Sequence, residues 1–333
     1  MPSTSAAAES TAAKSVEDLS AAVQEIREQQ SLEASQIATH DQSKVESASK
    51  YPVKVTGMLL MNGFINTSAV DMSATPTVAI GGSGNIGATV RQTILGVDAN
   101  GPHLLGARSF ADVRVDFASN PAYSSTTGGT IGFGGANSAY LRLRTMHAGL
   151  EWERTQAFFS LDRPIVSPDT PTSLTAVAEP ALAWSGNLWV WNPQAVFSQN
   201  VGPLGGRNLQ LQAALIDPAD APLTPTYTSQ IAVPPNSAEQ SSRPGVEARV
   251  ALLGSNQNED RDHIGLGGYF ARHDTSLGRY FDSWAATLDA RINLPAGLQL
   301  TANSYRGLGL GGLGGGGYKD FAYKPNTNTG GYF

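Results

Sequence analysis

From residue 52 onward, apolar and polar residues alternate one for one, the period of a β-strand with two different faces. In 105–118, Ala111, Val113, Val115 and Phe117 share one face, and Arg108, Asp112, Arg114 and Asp116 the other. In 280–293, Trp284, Ala286, Leu288, Ala290 and Ile292 oppose Ser283, Thr287, Asp289, Arg291 and Asn293. Leu209, Leu211, Ala213 and Leu215 oppose Gln210 and Gln212, and Val246, Ala248, Val250 and Leu252 oppose Glu247 and Arg249. Leu298, Leu300 and Ala302 oppose Gln299, Thr301 and Asn303. The pattern predicts strands near 52–66, 85–98, 105–118, 138–152, 156–163, 188–199, 207–216, 243–254, 262–272, 280–293 and 297–307.

Before residue 50 the period is different. Val16, Leu19, Val23 and Ile26 follow the 3-4 spacing of a coiled coil, Ile37 falls on the same register, and residues 15–49 hold neither Gly nor Pro. Gln30, Glu33, His40 and Lys44 occupy the remaining seam positions. One copy of so short and weak a heptad has little apolar area to bury, so it needs partners to persist as a helix. The expected domains are a disordered Ala/Ser/Thr-rich start at 1–14, a helical coiled-coil segment at 15–50, and a β-domain at 51–333.

Alternation alone fits a soluble sandwich with its apolar face inward as well as a membrane barrel with it outward. Two features favour the barrel. The apolar faces mix many Ala and Gly with Val and Leu, whereas a sandwich core needs bulk to close-pack. The connections also alternate in length: long ones at 67–84, 119–137, 164–187 and 217–242, short ones at 99–104, 153–155, 200–206, 255–261 and 294–296, with 273–279 the exception. Outer-membrane barrels have short periplasmic turns and long external loops, and even strand numbers. With eleven strands expected and a Gly-rich stretch at 307–317, the fold class is an all-β transmembrane antiparallel barrel whose last strands are expected beyond Phe333, the segment from Gly330 beginning a further strand.

Composition adds limits. The 333 residues carry a net charge of -6, 36 Gly, 19 Pro and no Cys. No thiolate chemistry, disulfide or Cys-type zinc site is available, and the mild acidity argues against nucleic acid as a partner. No stretch reaches the about 20 apolar residues of a spanning helix. The segment 1–10 has no basic region or apolar core, so the leader of an exported protein is expected to lie outside this sequence. The five histidines, His40, His103, His147, His263 and His273, have no zinc-site spacing. No enzyme chemistry and no cofactor are expected.

The segments Lys54-Val-Thr-Gly-Met-Leu-Leu-Met-Asn-Gly63, Arg91-Gln-Thr-Ile-Leu-Gly96, Val113-Arg-Val-Asp-Phe117 and Tyr140-Leu-Arg-Leu-Arg144 resemble the porin superfamily of bacterial outer membranes. Within it the chain resembles trimeric porins with a periplasmic coiled coil, related to phosphate- and dicarboxylate-selective channels. The resemblance implies a homotrimer in the outer membrane, a lipid bilayer and small hydrophilic solutes as partners, and the helix in the periplasm. It departs from the family in lacking a leader and a proper closing strand.

Charges on the polar faces are the candidate channel lining. Arg142 and Arg144 lie two apart, which aims both away from lipid if Leu141 and Leu143 face it. They are either a basic ladder for anions or wall residues paired to carboxylates. Arg114 with Asp112 and Asp116, Arg249 with Glu247, and Arg291 with Asp289 fit pairing better. The long connection from Arg163, with Asp169, Ser173 and Glu179, is the candidate constriction loop, folded into the pore as in the porins the chain resembles, or else an external cap. Trp189, Trp191, Tyr269, Tyr280, Phe281 and Trp284 are expected in an aromatic girdle. The expected function is passive diffusion of small hydrophilic solutes with an anion preference. The alternative is a structural protein anchoring outer membrane to cell wall.

Overall fold

The computed structural model describes residues 52–76, 79–119, 140–175, 177, 180, 183–204, 206–219, 235–254, 261–274, 280–315, 321–324 and 329–332. The expected coiled coil, the start of the chain and Glu179 lie outside the described residues. The chain divides into two units, 1–54 and 55–333, and the fold below is essentially that of the second.

Eleven strands form one sheet in the order β1-β4-β5-β6-β7-β8-β9-β10-β11-β12-β13. They are β1 (Val53–Met58), β4 (Ile94–Leu104), β5 (Ala107–Ser119), β6 (Tyr140–Glu151), β7 (Thr155–Asp162), β8 (Asn192–Leu204), β9 (Arg207–Ile216), β10 (Gly245–Leu253), β11 (His263–Asp274), β12 (Tyr280–Leu294) and β13 (Leu298–Leu308). From β4 to β13 each strand pairs antiparallel with the next. The sheet is not closed: β1 and β13 are its edges.

Two hairpins stand apart from this sheet. β2 (Asn62–Val70) pairs with β3 (Ala79–Thr89), and β14 (Phe321–Lys324) with β15 (Thr329–Tyr332). The strand expected at 52–66 is therefore broken. At the break, Leu60 takes both backbone hydrogen bonds from one side chain: its N–H donates to Thr93 Oγ1 (3.1 Å) and its carbonyl accepts from the same hydroxyl (3.4 Å). The strand expected at 85–98 is likewise two strands, separated by a turn closed by Thr93 N–H to Val90 O (3.0 Å). The long connection expected at 67–84 is in part β3, whose glycines disguise it. The strand expected from Gly330 exists, but its partner is β14. At the other end of the length scale, β4 and β5 are joined by the two-residue turn Leu105–Gly106, both at positive φ (53° and 77°), the geometry that matches strand twist.

The alternation seen in the sequence becomes a sheet with its oily side exposed. Leu266 is 65% and Leu288 45% exposed, with Val246, Val250, Ile264, Phe270 and Trp284 on the same side. Their neighbours in register face a sheltered interior, where Arg249 is 4% and Asp289 1% exposed, with Glu247, His263, Ser283 and Thr287. This is the reverse of a soluble sandwich. Of the aromatic residues expected in a girdle, Tyr280 and Trp284 are exposed. Trp189, Tyr269 and Phe281 are buried, and Trp191 lies beneath two arginines. Tyr269 and Phe281 share the parity of His273 and Ser283, which fixes them inward.

Two segments shelter the polar face. The β7–β8 connection contributes Val166 and Leu188, and the Gly-rich turn after β13 contributes Leu310 and Leu313, to a cluster with Ile216, Tyr269, Ala271 and Ala285. Backbone bonds tie the two together: the N–H groups of Trp189 (2.9 Å) and Val190 (3.3 Å) both donate to Leu313 O.

Close strand packing makes a stability prediction. A Cβ at Gly149 of β6 would sit 2.4 Å from Ala157 O and Phe158 Cβ of β7. Gly149→Val should cost about 1–3 kcal/mol through overpacking. Ala286→Val, on the exposed side of β12, should stay within about 0.5 kcal/mol of wild type. Urea unfolding of the two variants checks this, and equal midpoints would refute it.

Candidate functional site

The inward charges are arranged as pairs between strands, because side chains directly opposite on one face are closer than those two apart along a strand. Asp116 of β5 is fully buried and serves both arginines of β6: Arg142 through Nε (2.9 Å) and Nη2 (2.6 Å), Arg144 through Nη1 (2.8 Å). Both guanidinium groups lie over the Trp191 ring, at 5.3 and 4.8 Å from its centroid. Arg144 also donates to Val177 O (2.8 Å) in the β7–β8 connection. These two arginines face inward as expected, and each is paired to a carboxylate.

The other expected pairs have different partners. Arg114 binds Asp98 of β4 (2.5 Å), with Asp112 at 4.0 Å, rather than Asp116. Arg249 binds not Glu247 but Asp289, two strands away, through Nε (2.9 Å) and Nη2 (2.5 Å), and also Gln212 Oε1 (3.0 Å). Gly265 of β11 stands opposite Asp289 in register, and a Cβ there would come within 2.7 Å of both the Arg249 guanidinium and the Asp289 carboxylate. Arg291 binds Asp169 rather than Asp289.

Asp169 belongs to the expected constriction loop, and it is buried against the wall. Besides Arg291 it faces His263 Nε2 at 3.2 Å, and the same nitrogen lies 3.2 Å from Asp289. Asn303 of β13 donates to Asp169 O (2.6 Å). Nearby, Ile165 N–H donates to the buried Glu247 carboxylate (2.8 Å), and Val166 lies where a Cβ on Gly267 would come within 2.9 Å. The start of the connection thus lies on the inner face of β10 to β13. Ser173 is not part of this contact; its hydroxyl pairs locally with Thr175 Oγ1 (2.8 Å).

Beside this tether is a cavity of about 330 Å³. Arg163, Arg249, Arg261 and Arg291 line it, against two carboxylates, Asp162 and Asp169. Arg249 and Arg291 are committed to the wall pairs above. Arg163 donates to Thr170 Oγ1 (2.7 Å) and lies 3.8 Å from Asp162. Arg261 has no ion pair among the described residues, and burial without a partner lowers its pKa from the ordinary value. His147 also lines the cavity, its two ring nitrogens 3.1 Å from Asp112 and from Asp162.

Sequence reasoning missed Arg261, His147, His263 and Asp162. Parity counted from Arg142 and Arg144 sends His147 outward. A bulge in β6, where Arg114 opposes Thr145 and Val115 opposes Leu143, shifts the phase and turns His147 in. His263 shares the parity of Tyr269 and His273, which was a usable signal. Arg261 lies before its strand and carried none.

Strands β4 to β13 thus form an antiparallel meander with an exposed apolar side and a sheltered charged side, and the β7–β8 connection folds onto the charged side. Among solved structures the fold is similar to that of the outer membrane channel DcaP of Acinetobacter baumannii, with a TM-score of 0.51, 14% identity, and a match covering 78% of this chain and 66% of that one. The match thus spans just under two thirds of that channel's length, and at this identity the likeness is one of fold. No protein-family model and no curated protein matches the chain.

The tether has a defined pH window. Burial alone would raise the Asp169 carboxyl, but the close contacts of His263 and Arg291 outweigh it and hold the group below its ordinary value. Its stabilisation is therefore complete above about pH 3.9, the unfolded value, and is lost as pH falls through the lower folded one. Asp169→Asn should mimic that loss at neutral pH, weakening the tether by removing the charge that faces Arg291 and His263. Protection of the amides across 163–171, relative to their unstructured exchange rates, should then be lower at pH 7 in the variant and should persist at pH 5 in the wild type. Equal protection in the two proteins would refute the tether.

Proposed function

We propose that the protein is an outer-membrane porin that lets small hydrophilic solutes diffuse passively, with a preference for anions. The observation that carries this reading is the cavity wall, where Arg163 and Arg261 add positive charge beyond that matched by the wall pairs. Arginines at a narrow point favour anions without binding them tightly, so that solutes both enter and leave. The exposed apolar side suits lipid, and the similar fold of a known channel supports the same conclusion. No catalytic role is assigned. Residues 15–50 are proposed to form a periplasmic coiled coil joining copies of the chain, three by resemblance, and the β7–β8 connection to narrow the pore.

The preference lies in the arginines of the cavity rather than in Arg142 and Arg144, which bind Asp116 and do not line it. In planar bilayers under a KCl gradient, the full chain should give ohmic channels whose reversal potential favours chloride. Arg163→Gln with Arg261→Gln should move that potential toward zero. Cation-selective channels would refute the anion preference, and silent bilayers the porin reading itself. The membrane assignment has its own check. Leu288→Arg on the exposed face should lower the stability of protein folded into vesicles by about 2–4 kcal/mol. A loss under about 0.5 kcal/mol, the level of an ordinary surface change, would show that this face does not meet lipid.

A further inference from the structure

The cavity carries a feature that charge alone does not use. Gln194 of β8 is 5% exposed and lines the cavity. Its Nε2 donates to Asp162 O (2.8 Å) and Arg163 O (2.7 Å), two carbonyls that only accept, so the amide orientation is fixed. Its Oε1 is buried and has no hydrogen-bond partner among the described residues. A buried acceptor left unmade costs about 1–3 kcal/mol. Gln210, Gln212 and Ser160 line the same cavity, and Gln212 has given its oxygen to Arg249. The lining therefore includes a residue whose buried acceptor lacks a donor, uncharged amides, and two guanidinium groups that lack a full counter-charge.

We propose that this cavity is a binding site for a small hydroxylated monocarboxylate, of the sugar-acid type, with its carboxylate on Arg163 and Arg261 and a hydroxyl donating to Gln194 Oε1. The proposal rests on the channel reading and names the solute class of that same site. Each competing class meets an obstacle in the named residues. A halide or acetate brings no donor for Gln194. An ammonium donor, as in an amino acid, would enter a cavity lined by four arginines and two aspartates. The second carboxylate of a diacid would meet Asp162 and Asp169, because Arg249 and Arg291 are already engaged. A volume of about 330 Å³ is at the small end of ligand pockets and suits a compact solute.

The test uses the full chain in planar bilayers in KCl, with potassium gluconate, acetate, glycine or succinate added on one side. Gluconate should reduce the current with a half-blocking concentration about tenfold below the other three, the increment of one well-made hydrogen bond to a buried group. Arg261→Gln should raise the gluconate value about tenfold. Gln194→Leu should bring it to the level of acetate. Because Gln194 also holds the start of the β7–β8 connection, the Arg261 variant is the decisive one. Gluconate no stronger than acetate, or weaker than glycine or succinate, overturns the site while leaving the channel intact. Silent bilayers instead overturn the channel reading. Calorimetric titration of the detergent-solubilised protein with the same four salts then decides the site alone: gluconate heat that Arg261→Gln abolishes supports it, and none overturns it.

Discussion

Asp116 is fully buried, and two arginines share it. A charge taken out of water costs several kcal/mol unless a partner is held at good geometry, and that constraint shapes the interior of this sheet. Strands that show apolar residues outward must send their charges inward, where they are sheltered. The protein answers with guanidinium–carboxylate pairs that cross strands: Arg142 and Arg144 with Asp116, Arg249 with Asp289, Arg114 with Asp98. Such pairs do more than neutralise. Each joins neighbouring or next-but-one strands from the inside, where no apolar core runs the length of the sheet.

The same chemistry sets the path of the β7–β8 connection. A chain segment crossing a polar wall has no broad apolar surface to rest on, so it is held by point contacts. Asp169 meets Arg291 and His263, Ile165 N–H meets Glu247, and Arg144 reaches Val177 O. Apolar anchorage comes where Val166 and Leu188 meet Leu310 and Leu313 of the Gly-rich turn, and from the small cluster of Ala183, Trp189 and Val190. That turn needs its glycines. Gly309 and Gly314 are at positive φ, and a Cβ on Gly314 would come within 2.9 Å of Asn187 O. A stretch that looks featureless in sequence is thus a buried wedge.

Much of the fold was legible from alternation. Strands such as 105–118, 207–216 and 280–293 lie close to their expected places, and the apolar sides of Leu211 and Leu288 are the exposed ones. What alternation cannot show is where its phase breaks. The bulge at Arg144 turned His147 inward, and a threonine hydroxyl at Thr93 ended β1 where the residue pattern ran on. Nor does a sequence of alternating charges name the pairs. Spacing along the strand suggested Arg249 with Glu247, but Glu247 accepts from Ile165 N–H and Arg249 reaches across Gly265 to Asp289. The missing information is register, a relation between strands that no single strand contains.

This distinction between committed and uncommitted charge decides which arginines can act on a solute. A guanidinium in a bidentate pair with a buried carboxylate presents little net field, and displacing its partner would cost more than a passing anion returns. Arg249 is in that position, and Arg142 nearly so. Arg261 and Arg163 are not: one has no ion pair among the described residues, and the other a 3.8 Å contact. Counting basic residues along the wall therefore overstates the charge left for a solute, and the overall charge of -6 does not describe it. On the proposed reading, selectivity would belong to the few cations that folding has left without a full partner, here the half-buried Arg163 and Arg261 of the cavity lining.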